Sequence, residues 1–151
     1  MTRARFNHME LTFAPGTLDT DLRADIDTFY GDVFGWTGKD IDLLGQMCHF
    51  LRVDDGQFIL LAESERAISA PGFDHLGLLM DTRADVDEAL DKVTRFQEKD
   101  SRVQIKRYND LVNPTSTVHA FYVKYLLPIY FDVQVLEWNP GAAPEHTWRW
   151  S

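Results

Sequence analysis

A seven-residue segment occurs twice in this chain. Asp21-Leu-Arg-Ala-Asp-Ile-Asp27 and Asp81-Thr-Arg-Ala-Asp-Val-Asp87 agree at five of seven positions, and they lie 60 residues apart. A repeat of this kind means that one supersecondary unit is used twice, with each copy covering part of the other's apolar surface. Both copies open a helical pattern. Leu22, Ile26, Tyr30 and Val33 recur at helical spacing in the first, and Val86, Leu90, Val93 and Phe96 in the second. Thr20 and either Asp81 or Thr82 are the expected N-caps, and Gly35 and Asp100 the expected stops.

Each helix follows a short alternating strand. In Phe6 to Phe13, His8, Glu10 and Thr12 share one side and Met9, Leu11 and Phe13 the other. In Asp74 to Met80, His75, Gly77 and Leu79 oppose Leu76, Leu78 and Met80. Strand-like runs follow each helix. They are Met47 to Val53 and Gln57 to Glu63, joined by Asp54-Asp55-Gly56, a hairpin signal. In the second half they are Val103 to Tyr108, Val118 to Tyr125 and Ile129 to Trp138. The chain therefore reads as α+β, a single domain over residues 1–151. Its two modules span about 1–66 and 72–140, and an aromatic tail covers 141–151. A half of about 70 residues is marginal alone, so the two sheets are expected to share one core.

Charge excludes some partners. Fifteen Lys and Arg against 24 Asp and Glu give a net charge of −9, a field that repels phosphate, so neither nucleic acid nor an anionic membrane is expected to bind. The one cysteine, Cys48, rules out an intramolecular disulfide. No apolar run is long enough to span a bilayer, and no leader is recognisable, so a soluble, cytoplasmic protein is expected. No glycine-rich phosphate loop and no Gly-x-Ser-x-Gly elbow occur.

The residues that could carry chemistry are His8, His75 and Glu137. The histidines hold matching positions on the first strand of each half, and Glu137 lies near the end of the last. Two imidazoles and a carboxylate are the facial set that holds a divalent metal with positions left open for substrate. Phe6-Asn-His8, Phe73-Asp-His-Leu-Gly-Leu78 and Val135-Leu-Glu-Trp138, with the paired halves, resemble the vicinal oxygen chelate superfamily of glyoxalases, bleomycin-resistance proteins and extradiol dioxygenases. The resemblance covers about Phe6 to Pro140. It implies two βαβββ modules forming an incomplete barrel around one divalent metal (Fe, Mn, Ni or Zn) held by His8, His75 and Glu137. It also implies a homodimer. The family's fourth ligand falls near Leu61, and Glu63, on the same side, is either that ligand, a general base or an exposed strand end. The stretch Tyr125 to Phe131 replaces the family's usual turn and makes the site rim more apolar.

On the resemblance, Tyr122 falls near the metal side. His119, three residues earlier, faces the other way on a flat strand, so only one of the two is expected to point inward. Tyr122, His119 or Glu63 would move protons. His49 is expected to be structural, and Cys48 a small buried hydrophobe. The tail Trp148-Arg-Trp150 is expected to pack against the body, a partner subunit or the site's mouth. Two functions stay open. One is a metal-dependent lyase, isomerase or ring-cleaving dioxygenase acting on a small, aromatic or apolar, oxygen-bearing substrate. The other is a metal-free protein that sequesters a ligand, as the bleomycin-resistance branch does.

Overall fold

The computed structural model describes residues 4–145; the tail tryptophans lie outside the described residues. Among the described residues nine strands and two helices follow the order β1 (His8–Phe13), α1 (Thr20–Phe34), β2 (Thr37–Leu43), β3 (Gln46–Asp54), β4 (Gln57–Glu63), β5 (His75–Leu79), α2 (Arg83–Lys99), β6 (Gln104–Arg107), β7 (Leu111–Val112), β8 (Ser116–Lys124) and β9 (Tyr130–Trp138). They form two mixed sheets and no closed barrel. One runs β1-β4-β3-β2 and the other β5-β9-β8-β6, with β7 added to β8. In each, the strand before the helix pairs parallel with the last strand of its half.

Both helices start and stop near the expected places. α1 is capped by Asp19 rather than Thr20, whose position is already helical. α2 is capped by Thr82, which forms a reciprocal capping box with Asp85. Gly35 ends α1 at φ 72°, where a side chain would be strained, and Asp100 ends α2. β2 escaped the sequence pattern because Thr37–Leu43 is an exposed edge strand with charges on both faces. β7 is only two residues long, below any detectable period.

The helices lie on one face of the sheets and share a single core. Phe29 of α1 packs against Phe96 of α2 and Tyr125 of the second half, with ring centroids 5.0 and 4.6 Å apart. Tyr30 meets Phe131 of β9 at 5.7 Å, and its buried hydroxyl donates to the Tyr125 carbonyl at 2.7 Å. Large aromatics bury about 150–250 Å² each, so this cluster dominates the contact between the halves.

Candidate functional site

The duplicated segment does more than open helices. In the first half the ring nitrogens of His49 lie 2.6 Å from Asp40 and 2.7 Å from Asp27, and Arg23 reaches Asp40 at 3.0 Å. In the second half the ring nitrogens of His119 lie 2.7 Å from Asp110 and 2.8 Å from Asp87, and Arg83 reaches Asp110 at 2.7 Å. The repeated Arg and final Asp of each segment are the helix-borne members of the same four-residue network. The two carboxylates sit at opposite edges of the imidazole, so each set ties helix to sheet and offers no common point to a metal.

Glu137 extends the second network. It accepts two hydrogen bonds from Arg83, at 2.9 and 2.5 Å, and that guanidinium holds its carboxyl below the usual range. Burial pulls the His119 imidazole down, but bonds to Asp110 and Asp87 outweigh this and leave it raised. Bonds from Arg83, then His119, hold Asp110 down to about 2.

In the first network Gly38 of β2 lies against Asp27. A Cβ at that position would fall 1.8 Å from Asp27 Oδ1, the oxygen that meets His49. Gly38→Ala is therefore expected to displace Asp27 and lower stability by about 1–3 kcal/mol. Urea unfolding of Gly38→Ala and Asp27→Ala, alone and combined, tests this. The two losses should not add; an undiminished cost of Gly38→Ala in the Asp27→Ala background would rule out the clash.

The other face of the second sheet carries a different group of side chains. The buried residues Phe121 and Val123 of β8, and Phe131, Val133 and Val135 of β9, pack toward the helices. Alternation turns Tyr122 and Asp132 to the opposite, open face. Register places Tyr122 beside Asp132, Asp132 beside Gly77, and His75 beside Tyr130. His75, Tyr122 and Asp132 therefore converge. His75 Nδ1 donates to the Phe73 carbonyl at 2.9 Å, which leaves Nε2 facing the Tyr122 hydroxyl at 3.5 Å and Asp132 Oδ2 at 3.8 Å. Asp132 Oδ1 is buried and has no hydrogen-bond partner among the described residues. Burial raises the Asp132 carboxyl, with His75 opposing. Burial first, then Asp132 and Tyr108, pushes the Tyr122 phenol up to about 12, so it stays a hydrogen-bond donor near neutral pH.

Rings wall this group. Tyr122 lies 4.7 Å from His75 and 4.8 Å from Tyr108, and Phe73 lies 5.1 Å from Tyr130. Lys106 sits 3.7 Å above Phe73. Gly77 leaves the β5 side of Asp132 without a side chain. It also lines a cleft of about 290 Å³ between β5 and the β1–β4 edge, with His8, Phe58, Leu76 and Leu78.

The expected site residues are thus distributed over several places. His75 and Tyr122 meet on the open face. His8 lies at the cleft, stacked on Phe58 at 4.8 Å, with Nδ1 2.7 Å from Asn7 Oδ1. Glu63 and His119 both point to the helix side; Glu63 accepts from the Leu18 backbone at 2.8 Å. Glu137 shares the face of Val133 and Val135, opposite to His75. His8, His75 and Glu137 therefore do not fit one metal ion. Among the described residues no cluster of three or more His, Cys, Asp or Glu could hold one. The carboxylate next to His75 is Asp132, which the sequence reading missed. Phe131, Val133 and Val135 were the available signal, because their alternation assigns 132 and 137 to opposite faces.

Two open mixed sheets from a duplicated strand–helix–strands unit are the architecture of the glyoxalase/dioxygenase-like class. The chain belongs to the Glyoxalase/Bleomycin resistance protein/Dioxygenase superfamily, whose model matches residues 17–109. No curated protein matches it. Solved structures share the fold. An integron cassette protein from the mobile metagenome of V. cholerae matches at TM-score 0.54 and 20% identity, over 89% of this chain and 97% of that one. A glyoxylase/bleomycin resistance protein/dioxygenase domain from Frankia sp. EAN1pec matches at 0.57 and 15%, over 93% and 96%. The fosfomycin resistance protein FosX of Listeria monocytogenes, in complex with Mn(II) and sulfate, matches at 0.60 and 14%, over 89% and 91%. No helix among the described residues is long and apolar enough to cross a membrane.

Proposed function

We propose that this protein binds a small aromatic, oxygen-bearing molecule on the open face of its second sheet, held by His75, Tyr122 and Asp132. The observation that carries this reading is the buried Asp132 oxygen without a partner, beside an imidazole and a phenol. A buried unsatisfied carboxylate oxygen costs stability, and such groups concentrate at functional sites. Tyr122 donates to a ligand oxygen, Asp132 accepts from a ligand hydroxyl or N–H, and His75 Nε2 exchanges a proton with either. The surrounding rings stack on an aromatic ligand. FosX was solved with Mn(II), but here Glu137 is engaged by Arg83 on the other face. The donor set favours retention of a ligand by these three side chains, the sequestering alternative, over a His8–His75–Glu137 metal centre.

Ligand-observed NMR with catechol, benzoate and indole, each with and without added Mn(II), tests the reading. At least one probe should bind the metal-free protein, and His75→Ala or Tyr122→Phe should weaken it about tenfold, the worth of one hydrogen bond to a polar ligand. Binding that required Mn(II) and disappeared in Glu137→Gln would replace this reading with the metal-centred one.

A further inference from the structure

The two halves carry the same Arg–Asp–His–Asp network, but its outer carboxylate sits in different company. Asp40 belongs to β2, a seven-residue strand laddered to β3 along its whole length. Asp110 lies in the irregular stretch between β6 and β7, which no ladder holds. The next two residues, Leu111 and Val112, form β7 with only two register pairs to β8. Both are largely exposed, at 61% and 75%, so burial does little to hold them. What fixes this stretch is Asp110 itself, gripped by Arg83 from α2 and His119 from β8. Two residues before Asp110 stands Tyr108, whose ring forms a wall of the ligand face against Tyr122.

Resting on the reading of that face as the ligand site, we propose that the Arg83–Asp110–His119 cluster is a latch that positions Tyr108 at the site and opens when His119 loses its proton. The charged groups facing His119 are Arg83 and Asp87 from α2 and Asp110 from the connecting stretch. Glu137 of β9 joins through Arg83. Its own strand turns Thr117 and Phe121 to the same side, and neither titrates in this range. With its proton, His119 donates to both carboxylates. Without it, Nδ1, which Arg83 Nη1 meets at 2.8 Å, becomes an acceptor for that guanidinium, Nε2–H keeps Asp87, and Asp110 loses the ring and part of Arg83's grip.

The sign follows from linkage. A histidine raised in the folded protein contributes stability that is whole below its unfolded value, near 6.5, and lost as pH rises through the folded one. The Asp110 carboxylate, held down to about 2, stays ionised throughout that window. The latch is therefore closed below about pH 6.5 and opens as pH rises through the raised folded value of His119. The first-half network is an internal reference, because the β2 ladder holds Asp40 whatever His49 does.

Amide hydrogen exchange by NMR on the full chain, corrected for hydroxide catalysis, reads the latch without any ligand. Protection at the Leu111 amide, which register places in a hydrogen-bonded pair with Val118, should fall at least tenfold between pH 6 and pH 9, at the midpoint of the His119 ring resonance. β2 amides should not follow. In Asp110→Asn the stretch should be open at both values, with no step; His119→Gln should behave alike. Equal protection in wild type and Asp110→Asn, with no step, overturns the proposal. Indole, which does not titrate in this range, reads the consequence. Its affinity should fall severalfold with the same midpoint. An exchange step with no indole binding at any pH would leave the latch standing and remove the ligand-site reading beneath it.

Discussion

Replacing Phe29 by alanine is expected to lower stability by about 3–5 kcal/mol, the range for a buried aromatic truncated to a methyl group. For a chain of this length that corresponds to a fall of roughly 10 °C in Tm. Phe29 is fully buried and belongs to the first half, yet its ring touches Phe96 and Tyr125, both from the second. Tyr30 beside it makes the only buried hydroxyl bond between the halves among the described residues. If the halves share one core, the loss must be felt by both. Urea unfolding followed by near-UV and far-UV dichroism should show one coincident transition, shifted to lower denaturant. A variant in which half of the signal unfolded early, while the rest kept the wild-type midpoint, would show two independent units and overturn the single-domain reading.

The duplication was legible in the sequence because Asp-x-Arg-Ala-Asp-x-Asp is a local string, and its helices, first strands and the α2 cap followed from local rules, while the α1 cap fell one residue earlier, on Asp19. What the string was for could not be read from it alone. Its Arg and last Asp meet His49 and Asp40, or His119 and Asp110, pairs that are themselves 70 residues apart in both halves. The changed offset hid them from a search at fixed period, since Asp110 follows Asp87 by 23 residues whereas Asp40 follows Asp27 by 13. Strand parity was the more reliable guide. It turned Tyr122 to the open face and His119 to the helices, as alternation required. Applied to Phe131, Val133 and Val135, it also separates Asp132 from Glu137. The identity of the residue mattered less for its place in the site than the side of the strand it occupies.

Asp132→Asn is expected to make the protein more stable and less able to bind. The carboxyl is mostly buried, with 13% of its side chain exposed, and Oδ1 has no partner. His75, 3.8 Å from Oδ2, is its nearest source of positive charge. Burial therefore raises its pKa. For an acid raised in the folded state the sign is the reverse of an ordinary ion-paired aspartate. The folded protein is favoured while the group is protonated, and the advantage is lost as pH climbs from the unfolded value, near 3.9, through the higher folded one. As pH rises through that folded value the wild type takes on the penalty of a buried carboxylate that His75 offsets only from 3.8 Å. An amide of the same shape carries no charge, so the variant should gain about 1–2 kcal/mol at pH 7. The gain should shrink as pH falls and vanish below about pH 4, where the wild-type carboxyl is itself neutral. Denaturant midpoints of both proteins across pH 3–8 measure the difference directly. The same substitution removes the acceptor that the ligand's hydroxyl or N–H would meet, so affinity for the best of the aromatic probes should drop at least tenfold. Stability that rises as binding is lost is the signature of a strained group kept for function. A variant that was less stable at every pH would show that Asp132 is held by partners in solution. One that bound the probe as well as wild type would remove Asp132 from the site and leave His75 and Tyr122 to account for binding alone.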